Sequence, residues 1–125
     1  MTIRAFQVQS FDRPAGVVDI ADPVPGPGQV LLDIAACGLN FADLLMAQGK
    51  YQDTPPPPFT LGMEVCGTVA ALGDGVTAPA VGARVAVFGG SGGLAQRGVF
   101  PAGLCRPVPD AMPDTVAVTA VIARP

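Results

Sequence analysis

The chain begins with an alternation of apolar and polar residues that is typical of a half-buried strand. Residues 3–8 alternate in this way, a turn sequence follows at 12–16, and residues 17–20 predict a returning strand. We therefore predict an antiparallel hairpin at the start of the chain. Strand structure resumes at residues 29–36, where the nearly continuous apolar character predicts burial on both faces.

One short helix is predicted after this strand. Helix-forming residues run from Phe41 to Gln48 and end at Gly49, a residue type that commonly caps helices at their C-terminus. The apolar residues Phe41, Leu44 and Leu45 fall on neighbouring turns, so we expect them to pack against the strands, with Gln48 at the end of the same row. This packing would hold the polar residues at the start of the helix in place.

Further short strands separated by turns are predicted in the second half of the chain. The candidates are residues 63–72, 84–88, 94–100 and 104–108, with turns rich in Gly and Pro between them. Short strands at this spacing favour a closed or partly open barrel, so we predict a mainly β fold with one or two short helices. A chain of 125 residues fits one such domain.

Composition and charge exclude several classes of protein. Half of the residues are hydrophobic and 14% are charged, which predicts a folded chain, and a net charge of -3 with seven scattered basic residues argues against nucleic-acid binding. The first twenty residues lack the apolar core of a signal peptide, and no apolar run reaches the roughly 18 residues of a membrane span. We expect a soluble, cytoplasmic protein with no membrane partner.

The chain contains three cysteines and no histidine. Cys37, Cys66 and Cys105 are not at metal-ligand spacing, so the usual Cys/His zinc sites are excluded and only carboxylates remain as possible hard ligands. The odd number fits a reducing compartment, where these residues would be small buried hydrophobes. Cys37 is a weak candidate nucleophile because no histidine is present to activate it, and burial is the preferred interpretation.

Three short motifs give the most specific information. They are Cys-Gly-Leu-Asn-Phe-Ala-Asp at residues 37–43, Gly-Lys-Tyr at 49–51 and Gly-Met-Glu-Val-Cys-Gly at 62–67. Together they resemble the substrate-site signature of the zinc-free quinone oxidoreductases, a branch of the medium-chain dehydrogenase/reductase superfamily. The resemblance implies a GroES-like, partly open β-barrel over residues 1–113. Zinc-dependent relatives have a cysteine at the position of Asn40 and a histidine at that of Met63, so the resemblance implies that no metal is bound.

The resemblance implies catalytic roles for Asn40, Asp43 and Tyr51, with Asn40 and Tyr51 also lining the cofactor site. The Asn40 carboxamide can donate and accept hydrogen bonds without ionising, which suits a neutral carbonyl and a developing oxyanion. Asn is also among the best N-terminal capping residues, and we expect Asn40 to serve in both roles. Asp43 has two alternative roles. It accepts hydrogen bonds that hold the site together, or its negative charge interacts favourably with the dipole of the predicted helix.

The neighbouring residues have structural alternatives as well. Tyr51 is the only tyrosine, and its flat ring and hydroxyl suit a quinone or a nicotinamide, although a place at the edge of the core explains it equally well. Glu64 lies in an apolar strand, where an unpaired charge is costly. We expect a salt bridge or backbone hydrogen bonds for Glu64 in preference to proton transfer, and plain packing for Met63.

The run Gly-Gly-Ser-Gly-Gly at residues 89–93 invites comparison with a phosphate-binding loop. A dinucleotide fingerprint requires a strand before it, a helix after it and an acidic residue about twenty positions on. Here a strand-like segment follows, so we interpret the run as the family's glycine-rich turn. No other stretch of the sequence offers a site for cofactor phosphates.

The chain departs from the family pattern at residues 114–125. The family continues there with an alanine-rich helix and a Rossmann cofactor domain, whereas residues 115–125 are rich in β-branched residues, which predicts a strand along a barrel edge. With no Rossmann domain, we expect a fragment or frame-altered product of a longer reductase, or a free-standing domain. Open barrel edges make self-association possible.

The resemblance implies the catalytic-domain portion of an NADPH-dependent quinone or enone oxidoreductase that transfers a hydride without zinc. The Rossmann domain provides most cofactor contacts in that family, so we expect this chain alone to be inactive. The alternative is a non-catalytic GroES-like binding or assembly module, analogous to a co-chaperonin subunit, which would have no use for the helix after Asn40. The sequence leaves open the exact substrate, the choice between NADPH and NADH, and the oligomeric state.

Overall fold

The computed structural model describes residues 1–122, which form eight strands and two α-helices. The helices are α1 (Phe41–Ala47) and α2 (Asp114–Ile122), and a 3-10 turn (Ala102–Leu104) precedes the last strand. The strands, in chain order, are β1 (Thr2–Val8), β2 (Gly16–Ala21), β3 (Gln29–Gly38), β4 (Phe59–Thr60), β5 (Glu64–Leu72), β6 (Arg84–Phe88), β7 (Arg97–Pro101) and β8 (Arg106–Pro107). The prediction of a mainly β fold with one or two short helices is confirmed.

The strands form two antiparallel sheets that do not close into a complete barrel. The smaller sheet has the order β2-β1-β4, and its β1–β2 pair is the predicted hairpin. The larger sheet has the order β7-β3-β5-β6-β8, with β3 and β5 at its centre. The predicted strands at residues 94–100 and 104–108 are shorter than expected, since regular pairing begins only at β7 and a 3-10 turn occupies part of the second segment.

The segment just before β7 joins the two sheets. The Phe6 N–H donates to the Leu94 carbonyl at 2.8 Å, and the Gln96 N–H donates to the Arg4 carbonyl at 3.1 Å. The Gln96 carbonyl in turn accepts a hydrogen bond from the Ile34 N–H at 3.0 Å. One short stretch of backbone therefore bonds to β1 on one side and to β3 on the other.

The main hydrophobic core lies on the larger sheet. Its buried members are Val30, Leu32, Val65, Val69, Val85, Val87 and Phe100. The expected burial of β3 on both faces holds for Val30 to Leu32 and is wrong beyond them, because Asp33 and Ala35 are exposed. A run of apolar residues therefore predicts a strand more reliably than it predicts which of its faces is covered.

Helix α1 presents a different face to the core from the one predicted. Its buried residues are Asp43 and Met46, whereas Phe41 and Leu44 are 72% and 62% exposed. Met46 packs in a second apolar cluster with Val8, Phe59, Leu61 and Met63. The predicted C-terminal stop at Gly49 is confirmed, since Gly49 has a φ of 72°, a conformation that glycine adopts without strain.

The strand predicted for the end of the chain is wrong where the structure describes it. Residues 114–122 form α2, and residues 123–125 lie outside the described part of the chain. Ala117 and Val118 are buried against Cys66, Ala86 and Val108. Differences in helix propensity among ordinary residues are small, so burial of one helix face outweighs the β-branched composition.

Polar contacts attach the start of α2 to the larger sheet. The Arg84 guanidinium donates to Asp114 Oδ1 at 2.7 Å and to the Met112 carbonyl at 2.8 Å. The Cys66 thiol donates to the same Asp114 oxygen at 3.1 Å. The hydrogen bond from Arg84, followed by that from Cys66, lowers the pKa of Asp114 below its usual value of 3.8. The charged form of Asp114 therefore stabilises the docked helix.

These contacts predict an acid-dependent contribution of Asp114 to stability. Because its pKa is lower in the folded state, the contribution is complete above pH 3.8 and is lost as the pH falls through the folded-state pKa. We expect Asp114→Asn to lower the urea midpoint at pH 7 and to differ little from the parent chain near pH 2. The exposed Asp53→Asn change is the control, and a gap that persists at pH 2 would contradict the assignment.

Candidate functional site

The predicted site residues meet at the start of α1. Asn40 occupies the N-cap position with extended backbone angles, φ −127° and ψ 156°. Its N–H donates to Asp43 Oδ2 at 2.9 Å, and its carbonyl accepts a hydrogen bond from the Asp43 N–H at 3.0 Å. This reciprocal pairing satisfies backbone groups that a helix leaves free at its first turn. The predicted capping position of Asn40 is confirmed.

Asp43 links the helix to the chain that enters β5. Its side chain is 5% exposed, and Oδ1 accepts a hydrogen bond from the Gly62 N–H at 3.2 Å. Gly62 has a φ of 104°, and a Cβ there would lie 2.5 Å from the Leu94 nitrogen, so only glycine fits. Asp43 thus accepts backbone hydrogen bonds, which is one of the two alternatives predicted for it. A catalytic role for Asp43 stays a prediction.

The side chain of Asn40 is bonded to Glu64. Asn40 Nδ2 donates to Glu64 Oε1 at 3.2 Å, and the Glu64 residue is 4% exposed. The other carboxylate oxygen, Oε2, is buried and has no hydrogen-bond partner among the described residues. The expected salt bridge or backbone bonding of Glu64 is therefore wrong, since its partner is a neutral carboxamide 24 residues earlier in the chain.

A glycine opposite Glu64 makes room for this carboxylate. Gly38 pairs with Glu64 in the register of β3 and β5, and a Cβ built on Gly38 would lie 2.3 Å from Glu64 Oε1. Any larger residue at position 38 would displace the carboxylate. This role is not evident from the sequence, although the glycine stands directly after Cys37 in the first motif.

Burial and nearby negative charge suppress the reactivity of Cys37. Burial of the thiol, followed by the negative charges of Asp43 and Glu64, raises its pKa to about 12. Because the thiolate is the nucleophile, Cys37 is unreactive near neutral pH. This supports the structural interpretation of Cys37. All three cysteines are free thiols, with Cys66 buried and the other two half-buried.

Tyr51 and Met63 both contribute to the apolar cluster beneath α1. Met63 is buried there, which confirms its predicted packing role, and the half-buried Tyr51 packs against the same cluster. Within residues 1–122, no hydrogen bond joins the Tyr51 side chain to Asn40 or Asp43. The structure therefore brings Asn40, Asp43 and Glu64 together, and the functional role of Tyr51 stays a prediction.

An open apolar groove of about 940 Å³ lies between the sheets beside α1. Its lining includes Phe6, Val17, Ile34, Leu39 and Leu44. Of the three predicted site residues, only Asp43 lines this groove. The groove and the Asn40–Glu64 pair therefore meet at Asp43, which lines the groove and accepts a hydrogen bond from the Asn40 backbone.

The glycine run at residues 89–93 is a turn whose four glycine N–H groups already donate to backbone carbonyls. The N–H groups of Gly89 and Gly92 donate to the carbonyls of Met63 at 2.8 Å and Thr60 at 2.9 Å. The Gly93 N–H donates to the Gly62 carbonyl at 2.9 Å. Strand β7 follows the run, where a dinucleotide fingerprint would have a helix. These bonds support the interpretation of the run as a structural turn.

Residues 1–122 place no group of three or more His, Cys, Asp or Glu side chains where they could hold a metal ion. Asn40 and Met63, at the positions where zinc relatives carry ligands, are respectively bonded to Glu64 and packed in the apolar cluster. Independence from zinc stays a prediction.

The two open antiparallel sheets and the polar site at the start of α1 agree with the GroES-like catalytic domain that the sequence motifs predict. The chain belongs to the alcohol dehydrogenase GroES-like domain family, whose model matches residues 26–110. The predicted GroES-like fold and the predicted family are both confirmed.

Three relatives illustrate the breadth of this family. The chain is 44% identical to the human synaptic vesicle membrane protein VAT-1 homolog over 106 residues, which cover 85% of this chain and 26% of that protein. It is 38% identical to the quinone oxidoreductase-like protein 2 homolog of Nematostella vectensis over 122 residues, which cover 96% and 33%. The quinone oxidoreductase of Thermus thermophilus, also solved with NADPH, superposes with a TM-score of 0.78 at 36% identity, covering 92% of this chain and 35% of that one.

The chain therefore spans at most 35% of the length of these three relatives. The match to the Nematostella protein covers 96% of the chain and so extends past residue 113 into α2. The division of the chain at residue 113 stays a prediction. No helix within residues 1–122 is long and apolar enough to cross a membrane, and cytoplasmic localisation also stays a prediction.

The thiol environments predict an order of chemical modification. Burial raises the pKa of Cys37 to about 12 and that of Cys66 to about 11, whereas the positive charge of Arg106 opposes the upward shift of Cys105. We expect iodoacetamide at pH 7.5 to modify Cys105 first, as measured by peptide mass spectrometry. The same reaction in urea is the control and should remove the difference. Preferential labelling of native Cys37 would contradict the site geometry.

Proposed function

We propose that this chain is the catalytic-domain portion of an NADPH-dependent quinone or enone oxidoreductase that works without zinc. The observation that carries the proposal is the neutral Asn40 carboxamide, held by a buried carboxylate at the start of α1. The family and the quinone oxidoreductases among its relatives support the reaction class. Because those relatives are longer, the activity is proposed for the complete protein.

Asn40 would act on the carbonyl oxygen of the substrate. Its Nδ2 has two N–H donors, of which one is used by Glu64. The other is available for a carbonyl, whose oxygen gains negative charge as hydride adds to the conjugated system. A donor that is already oriented stabilises this charge without reorganisation during the reaction.

A reduced nicotinamide supplies the hydride when it is bound. Asn40 and Tyr51 are the residues of this chain that would border its ring. The glycine run at 89–93 does not fit the cofactor phosphates, since its glycine amides already donate to backbone carbonyls of residues 60–63. We therefore assign phosphate binding to a nucleotide-binding domain of the complete protein.

A second candidate is a non-catalytic binding module, and the groove beside α1 favours it. Val17, Leu39 and Leu44 line this groove and are all more than half exposed. Exposed apolar surface of this kind commonly marks an interaction site. Turnover by the complete protein would separate the two candidates, since a binding module reduces no quinone.

Independence from zinc predicts a metal-free chain. Met63 lies in an apolar cluster, the chain has no histidine, and residues 1–122 bring no three Cys, Asp or Glu side chains together, so a tetrahedral zinc site lacks its ligands there. We expect less than about 0.1 equivalent of zinc after dialysis, measured by elemental analysis, and no change of melting temperature with EDTA. Addition of zinc before dialysis is the control for metal lost during purification. Stoichiometric zinc that stabilises the chain would overturn this part of the proposal.

The role of Asn40 is tested by linking this chain to the nucleotide-binding domain of a solved relative. We expect quinone reduction with NADPH by the linked protein and none by the chain alone. Asn40→Ala should lower kcat by about a hundredfold, because it removes a donor to developing charge. Ala keeps the backbone N–H and carbonyl that pair with Asp43, but loss of the side-chain hydrogen bond to buried Glu64 should cost about 1–3 kcal/mol of stability.

The exposed Gln48→Ala change at the other end of α1 is the matched control. It should leave both kcat and the urea midpoint nearly unchanged. A loss of stability with unchanged kcat in Asn40→Ala would mean that the Asn40 side chain serves only the fold, through its bond to Glu64. NADPH turnover by the chain alone would refute the proposed need for a second domain.

A further inference from the structure

We propose that Glu64 is a positioning residue that sets the orientation of the Asn40 carboxamide. Its buried carboxylate would keep one N–H of Asn40 directed towards itself and leave the other for a ligand carbonyl. The importance of this orientation for catalysis rests on the proposed function. The orientation itself is a property of the chain and can be measured without turnover.

The Glu64 carboxylate is buried with little to compensate its charge. The residue is 4% exposed and Oε2 has no hydrogen-bond partner among the described residues. The ion pairs of residues 1–122 join Arg84 and Arg97 to other acids, so no cation compensates this carboxylate. Its one hydrogen bond is the contact with Asn40 at 3.2 Å. A buried carboxylate with so little compensation destabilises the fold, which points to a use in the site.

Both partners are also held in place by contacts with the backbone. Glu64 is fixed by the β3–β5 register and by the space that Gly38 leaves. Asn40 is fixed by its bonds to Asp43, whose other oxygen is held by the Gly62 amide just before Glu64. The two side chains therefore meet across a closed set of contacts, which limits their relative motion.

Electrostatics then selects one of the two orientations of the amide. Turning the carboxamide over would place its oxygen against the carboxylate, where two acceptors face each other with no proton between them. The buried setting strengthens this repulsion, because little solvent screens it. Glu64 thus imposes the orientation in which Nδ2 is the inner atom.

The test uses the fact that Asn40 is the only asparagine of the chain. Selective labelling with ¹⁵N-asparagine gives a single side-chain NH₂ group in the NMR spectrum of the full chain. In the unaltered chain we expect two well-separated proton signals and exchange with water at least about tenfold slower than in a free asparagine amide, because a hydrogen bond to a charged group protects the proton. Exchange as fast as in a free amide would overturn the proposal with no variant needed.

Glu64→Gln is the matched variant because it retains shape and removes charge. Gln can face Asn40 with either its oxygen or its nitrogen, so the orientation should no longer be unique. We expect the separation of the two Asn40 signals to shrink and their exchange to accelerate about tenfold. Met63→Leu, an apolar change at the adjacent buried position, should leave the Asn40 signals unchanged. An Asn40 signal that Glu64→Gln does not alter would refute the proposal.

The linked protein then separates positioning from folding. Glu64→Gln should lower kcat by about tenfold while KM changes less than twofold, since a misoriented donor fails mainly in the transition state. Unchanged kcat with an altered Asn40 signal would limit Glu64 to orienting the amide. An inactive linked parent would count against the proposed function and leave the NMR result intact.

Discussion

The antiparallel pairing of β3 with β5 is the contact on which the site and much of the core depend. Its register runs from Val30 opposite Leu72 to Gly38 opposite Glu64, with irregularities between Leu31 and Leu32 and between Ile34 and Ala36. Because side chains alternate between faces, a slip of one residue would remove the valines from the core and take Glu64 away from Gly38. The pairing thereby places a buried carboxylate beside Asn40, the N-cap residue of α1. Core formation and site assembly share one set of hydrogen bonds.

The docking of α1 shows a polar contact overriding an apolar pattern. Asp43 bonds to the Gly62 amide, which turns Asp43 and Met46 inward and leaves Phe41 and Leu44 exposed. A helix of two turns buries little apolar area, so one well-satisfied buried carboxylate can decide its rotation. The rotation holds Asn40 against Glu64 and leaves apolar side chains along the open groove.

Helix α2 covers the far side of the larger sheet, although β propensity alone predicts a strand for these residues. The helix buries Ala117 and Val118 over Cys66, while Arg84 and Asp114 attach its first turn. Cys66 belongs to the same strand that carries Glu64 on its first position. Strand β5 therefore contributes both to the candidate site, through Glu64, and to the packing of α2, through Cys66. Both contacts help to bury the strand from Glu64 to Gly67.

The local features of this protein were determined by its sequence: the hairpin, the central strands, the stop of α1 at Gly49 and the motifs that resemble the quinone oxidoreductases. These depend on residue types close together in the chain, such as alternating apolar positions or a glycine free to adopt a positive φ. The partner of Glu64, the need for Gly38 and the rotation of α1 were decided only by tertiary structure. Each involves residues about 20 or more positions apart, whose contact follows from strand register and from the satisfaction of buried polar groups, and no local pattern encodes it. The helix at residues 114–122 belongs to the same group, because its secondary structure follows from the surface that it covers.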